Sequence, residues 1–143
     1  NMSAGNFTFY NEFKESLAKA DIDLNGDTFK AVLLTSSYSP NVATNVNLSD
    51  ISANIVSDSD YSAQTLTNVT VTESGGTVTF DADDINFGSS VSITAKYLAI
   101  YDDTVANDPL VVYVDLDTGG GSVSSTSSTF QVTINASGIF TLA

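Results

Sequence analysis

The side chains able to do chemistry in this chain are almost all carboxylates. Asp21, Asp23, Asn25 and Gly26 reproduce the first six positions of a D-x-D-x-N-G calcium loop, in which oxygens at alternate positions surround the ion and glycine permits the sharp turn. The twelfth position of that loop is Val32, where a bidentate carboxylate should stand, so the stretch is expected to be a plain helix-to-strand turn. Asp81, Asp83 and Asp84 form the densest acidic cluster, and Asp102, Asp103 and Asp108 form another. Either could gather oxygen ligands for Ca²⁺ or Mg²⁺, although solvated turns are the plainer reading. Asp81, Asp83 and Asp84 are carried forward as weak metal candidates only. No cofactor is expected.

A paired-carboxylate glycosidase would need two groups about 5 to 9 Å apart, one with a raised pKa, and nothing in the sequence selects such a pair. Histidine, cysteine, tryptophan and arginine are all absent, and there are only four lysines. Those types supply most nucleophiles, acid-base groups, transition-metal ligands, phosphate clamps and aromatic anchors at neutral pH. Enzymatic readings therefore start at a disadvantage, and no catalytic residue is assigned. The N-x-S/T triplets at Asn6, Asn47, Asn68 and Asn135 occur about as often as chance allows in a chain rich in Asn, Ser and Thr, so glycosylation is not inferred.

The composition points the same way. Seventeen acidic residues against four lysines give a formal charge of −13 over 143 residues, which repels phosphate and leaves few cations to displace counterions from a nucleic acid. Neither nucleic acid nor membrane is expected as a partner: no apolar run approaches the roughly 18 residues of a membrane span, and Asn1–Asn6 lacks the basic start and apolar run of a signal peptide. A soluble protein is expected. The residue ahead of Met2 reads as a tag remnant, an upstream start or processing. With no cysteine the compartment cannot be read from redox usage.

These side chains must be positioned by a single β-rich domain spanning residues 1–143. Phe9, Phe13 and Leu17 fall four apart with charged residues opposite, predicting one amphipathic helix over 9–20, capped by Thr8 or Asn11 and supported by a Glu15–Lys19 pair. Residues 1–8 precede it as an arm. Phe29–Thr35 is apolar on both faces apart from Lys30 and Thr35 and reads as an interior strand. The polar excursion Ser36–Asp60 holds one helical turn near Leu48–Ser52, with Leu48, Ile51 and Ile55 pinning it to the body. Alternation up to Val71, the turn Glu73–Gly76 and the run Thr77–Phe80 form the clearest hairpin. Val91–Tyr101 and Leu110–Leu116 become apolar on both faces and need cover on both sides. Phe130–Ile134 and Ile139–Leu142 close the fold. The expected class is mainly β, an antiparallel sandwich or partly closed barrel with one N-terminal helix. Residues 119–128, GGGSVSSTSS, read as a mobile tip or a flexible loop that orders against a partner.

The stretch FTFYNEFKESLAKADIDLNGDTFKAVLLTSSYSPN, with DADDINF, YLAIYDDT and PLVVYVDL further on, resembles small structural proteins of tailed bacteriophages, in particular head decoration, or cement, proteins. The likeness spans most of the chain and rests on structural residues, without a catalytic signature. It implies a virion protein on the capsid exterior that binds the major capsid protein, often as a homo-oligomer such as a trimer, and stabilises the shell. On that reading the contact residues are expected in the two arms: Asn6, Phe7 and Thr8 in the first, Gly119, Gly120, Gly121 and Ser122 in the second. The alternatives are a tail or fibre module contacting a host surface through the Ser36–Asp60 loop, and a small carbohydrate-binding or hydrolytic domain.

Overall fold

The structure, a computed structural model, describes residues 5–143. In chain order the elements are β1 (Thr8–Phe9), α1 (Asn11–Ala18), β2 (Phe29–Leu34), β3 (Gln64–Thr65), β4 (Thr70–Ser74), β5 (Thr77–Asp81), β6 (Ile85–Asn86), β7 (Thr94–Ala95), β8 (Tyr97–Asp102), β9 (Leu110–Asp115), β10 (Val123–Ser124), β11 (Gln131–Val132) and β12 (Phe140–Leu142). A five-stranded antiparallel sheet in the order β1-β9-β8-β2-β3 and a three-stranded sheet in the order β12-β5-β4 make a sandwich, with β7-β10 and β6-β11 as two-stranded ribbons. The sheets do not close into a barrel, which resolves the two architectures left open by the sequence in favour of the sandwich.

Period-two patterning sorts the central strands into two cores. On one face Ala31, Ile100 and Val112 align in register, as do Leu33, Leu98 and Val114, and they join Phe13, Phe80 and Phe140 in the inter-sheet core. On the other face Val32, Leu34, Ala99 and Tyr101 meet Tyr10, Tyr38 and Ile51. Strands apolar on both sides thus receive cover on both. The helix and the second sheet supply one layer, and the Ser36–Asp60 loop supplies the other. That loop carries two single-turn 3-10 helices, Leu48–Asp50 and Ser52–Asn54. Asp50 Oδ2 accepts from the N–H groups of Val46 and Asn47, both at 2.9 Å, and these donors hold its carboxyl below the usual range.

The helix is shorter than expected. Phe9 belongs to a strand: its backbone pairs with Val112 of β9, and its ring packs edge-on against Phe140 at 4.9 Å while stacking on Phe13 at 5.7 Å. Tyr10 takes extended backbone at the N-cap and turns into the opposite core, with no side-chain cap bond from any residue. Neither Thr8 nor Asn11 caps. The helix ends where Ala20 enters the left-handed region (φ 62°). Glu15 and Lys19 do pair, at 3.4 Å and largely exposed, a contact worth only a few tenths of a kcal/mol.

Residues 119–128, expected as a flexible loop, are tied down along their length. The Lys96 ammonium bonds Asp115 Oδ1 at 3.0 Å and also reaches the carbonyls of Asp117 and Gly121. Gly119 N–H donates to Asp117 Oδ1, Val123 and Ser124 pair with Ala95 and Thr94, and Ser125 is buried with its hydroxyl on the Val91 carbonyl at 2.7 Å. Low complexity hid a set of backbone hydrogen bonds that need no distinctive side chain. Of the expected arm 1–8, residues 1–4 lie outside the described residues, and the remainder runs along β9, with Gly5 N–H on Asp115 O at 2.8 Å and Thr8 opposite Tyr113.

Gly75 and Gly76 both have positive φ and form the two-residue turn of the β4-β5 hairpin. Gly138 is more constrained: at φ +92° a Cβ would sit 2.9 Å from the Phe80 carbonyl and 2.6 Å from Thr79 Cγ2. Gly138→Ala is expected to cost about 1–3 kcal/mol, measurable as a lower urea midpoint with an unchanged slope.

Candidate functional site: a neutral groove between two sheet edges

The two sheets do not meet flush at one side of the sandwich. β1 is the edge of the five-stranded sheet and β12 the edge of the three-stranded sheet. Between them lies a groove of about 660 Å³. Gly5–Phe7 and Phe9 form one wall, Ser137–Thr141 the other, and Val114 and Val132 lie at its base. Exposure alternates along the first wall, with Asn6 and Thr8 exposed and Phe7 and Phe9 half-buried, as an extended segment dictates. Phe9, Phe13, Phe80 and Phe140 stack across the gap, with ring centroids 4.9 to 5.8 Å apart. This ladder joins the sheets behind the groove and fixes its width.

Among the described residues no charged side chain lines the groove. In a chain of −13 such a surface can be covered without burying an unpaired carboxylate, a step that costs several kcal/mol per ion. Among the described residues each wall also ends in a strand with one neighbour, and open strand edges are the usual acceptors of an extended partner segment. Among the described residues no large hydrophobic side chain is fully exposed.

Of the contact residues expected from sequence, Asn6 and Phe7 line the groove, while Thr8 lies on β1 outside it. Gly119, Gly120, Gly121 and Ser122 do not line it. They adjoin its Gly5 end, where a Cβ on Gly5 would lie 3.2 Å from Thr118 Cγ2. The other wall was missed. Its local signal was the Ala136–Gly138 turn, and nothing in sequence shows that this turn faces residues 5–9.

The acidic clusters disperse. Asp81 Oδ1 accepts from the Ala82 N–H, Asp83 Oδ2 is bonded by Thr67 Oγ1 and Asn68 Nδ2, and Asp84 Oδ1 accepts from Ile134 N–H at 2.8 Å. In the calcium-like loop Asp23 Oδ1 accepts from Asn25 N–H, and Asp27 Oδ2 accepts from Asp23 N–H, each at 3.0 Å. The turn therefore closes on its own backbone. Among the described residues no three acidic, histidine or cysteine side chains converge on a common point. Tyr10, Tyr38, Tyr97, Tyr101 and Tyr113 pack in the second core and Tyr61 against the first; the Tyr10 and Tyr38 hydroxyls lie 2.9 Å apart and Tyr38 donates to Asn45 Oδ1. Burial pushes both phenols up, so they remain neutral hydrogen-bonding groups.

The acidic surface has a measurable consequence. Screening shortens from about 10 Å at 0.1 M salt to about 3 Å at 1 M, so self-repulsion fades. The melting temperature is expected to rise with NaCl, and a salt-independent melt would contradict this.

No protein-family model, no curated protein and no solved structure matches this chain. Among the described residues no helix is long and apolar enough to cross a membrane.

Proposed function

We propose that this protein is a non-enzymatic structural component of a tailed-phage virion, a decoration protein that binds the major capsid protein on the outside of the head and stabilises the shell. The observation that carries the docking half of this reading is the uncharged groove between two open sheet edges in an otherwise acidic molecule. The phage half rests on the resemblance in the opening stretch and in the DADDINF, YLAIYDDT and PLVVYVDL segments. A decoration protein has to stay soluble when crowded on a lattice and has to seat firmly. The acidic, hydroxyl-rich surface serves the first need and the groove serves the second. Assembly as a homo-oligomer, such as a trimer, would multiply weak contacts through effective concentration.

The tail-module alternative placed recognition on the Ser36–Asp60 loop. Tyr38 and Ile51 of that loop are buried, with Val42, Leu48 and Ile55 packed beside them, so much of it serves as cover for the second core. The experiment that tests the proposal is removal of the protein from virions. Particles lacking it are expected to lose heat resistance and to regain it when purified protein is added back. Unchanged heat resistance would count against the reading.

A further inference from the structure

At the end of the central sheet away from Gly5, β8 terminates in an aspartate that no part of the groove uses. Asp102 is completely buried. Its Oδ1 accepts from the N–H groups of Thr104 at 2.9 Å and Val105 at 3.2 Å, while Oδ2, also buried, meets no hydrogen-bond donor. Thr28 N–H on Thr104 Oγ1 and Asp103 N–H on Thr28 O, each at 2.8 Å, seat the turn between α1 and β2 against this loop, which brings the Asp27 side chain to the Asp102 carboxyl; Asp27 Oδ2 accepts from Asp23 N–H. Two carboxylates in contact have four acceptors and no donor. One proton between them supplies the donor that the buried oxygen lacks.

The charged groups on the adjoining turns are mostly acidic. Asp23 stands on the same turn and Asp103 and Asp108 on the following loop. The Lys30 ammonium of β2 is engaged by Asp103 at 3.6 Å. Asp103 and Asp108 also help burial push neighbouring Tyr101 up to about 12. We propose that Asp27 and Asp102 share a single proton and so form a clasp that fastens the α1-β2 turn to the 102–109 loop and loosens when the proton is lost. Burial first, and the Asp27 carboxyl second, push Asp102 up to about 7, with the two backbone donors pulling the other way.

The loop it fastens is itself a hub. Asp103 N–H donates to Thr28 O, Leu48 N–H to Asp108 O and Leu110 N–H to Val46 O, while Asn107 and Asp108 are held at positive φ. Loosening it frees contacts to both the turn and the covering loop. Because the folded-state pKa lies above the unfolded value, the stabilisation is complete below about pH 4 and is lost as pH rises through about 7. The chain has no histidine and no cysteine, so apart from a terminal amine no ordinary group titrates between about pH 5.5 and 8 to obscure the effect.

The test is a ¹³C NMR titration of the aspartate carboxyls, with thermal melts over the same pH range, on the intact protein and on Asp102→Asn and Asp27→Asn. Asp102→Asn keeps the Oδ1 acceptor and replaces the shared proton with an amide donor. One carboxyl is expected to titrate near 7 in the parent, to vanish from that region in Asp102→Asn, and to move down in Asp27→Asn, where burial still raises Asp102 but an amide donor replaces the neighbouring carboxyl. The parent melting temperature is expected to fall across this window by about 3 °C or more, and that of Asp102→Asn to stay level. If Asp102→Asn does not fold, the downward move in Asp27→Asn is the readout, and an unmoved titration there overturns the sharing. The proposal is overturned if no carboxyl titrates above about pH 5. It is equally overturned if about 5 mM Ca²⁺ or Mg²⁺ abolishes the titration and raises the parent melt, since the neutralising species would then be a cation.

Discussion

Phe140→Ala should destabilise the protein by about 3–5 kcal/mol, the largest loss expected from any single truncation in the fold. Phe140 contacts Phe80 within its own sheet, at 5.0 Å between centroids, Phe9 of the opposite sheet at 4.9 Å and Phe13 of α1 at 5.8 Å. Truncation removes the ring that spans the two sheets. The cavity left behind cannot collapse easily, because β12 is held by β5 through Phe140, Thr141 and Leu142. Against a total stability of about 5–15 kcal/mol for a domain of this kind, the loss is a large fraction. Urea denaturation reads it directly, and Phe140→Leu should lose much less because most of the volume remains. A loss below about 1 kcal/mol would show that the sheets are held together elsewhere.

The second large effect is on docking. Thr141 is exposed, lies on the open edge of β12 and lines the groove, so a charge there reaches the partner surface without disturbing the core. Thr141→Glu and Thr141→Lys are each expected to weaken attachment to heads by about 100-fold or more, since either sign leaves an ion desolvated without a counterpart. Stability should change by less than about 0.5 kcal/mol. Thr72→Lys, an exposed position on the far edge strand β4, is the matched control and should bind normally. Competition between labelled parent and variant for stripped heads measures all three. Equal binding by parent and both Thr141 variants would remove the groove from the interface.

How far the sequence discloses this molecule depends on how local each feature is. The β4-β5 hairpin was legible because its register is set by adjacent residues and the Gly75–Gly76 turn. β2, β8 and β9 were legible because their side chains alternate between two apolar faces. The break at Lys96 between β7 and β8 was not, because it depends on partners far away: its N–H bonds Leu34 O and its ammonium bonds Asp115. Phe9 satisfied both a helical stripe and a strand alternation with Phe7, and the choice between them was made by Phe140, distant in sequence. The groove shares this character, since its walls come from the two ends of the chain. Asn6 and Phe7 were found through the expectation of an arm, whereas Ser137–Thr141 had no signal pointing across the gap. The Asp27–Asp102 pair is likewise a product of topology: Asp102 was noted only as one of three acids in a turn, and its burial follows from being the last residue of β8 opposite Phe29.

The central claim is that the chain works by seating its neutral groove against the shell of a phage head. Imaging of intact virions at side-chain resolution tests this most directly. The account predicts this fold on the outer face of the head, with β1 and β12 turned towards the major capsid protein and the groove filled by it. Density for the chain at the tail, or on the head with the groove open to solvent, would contradict it.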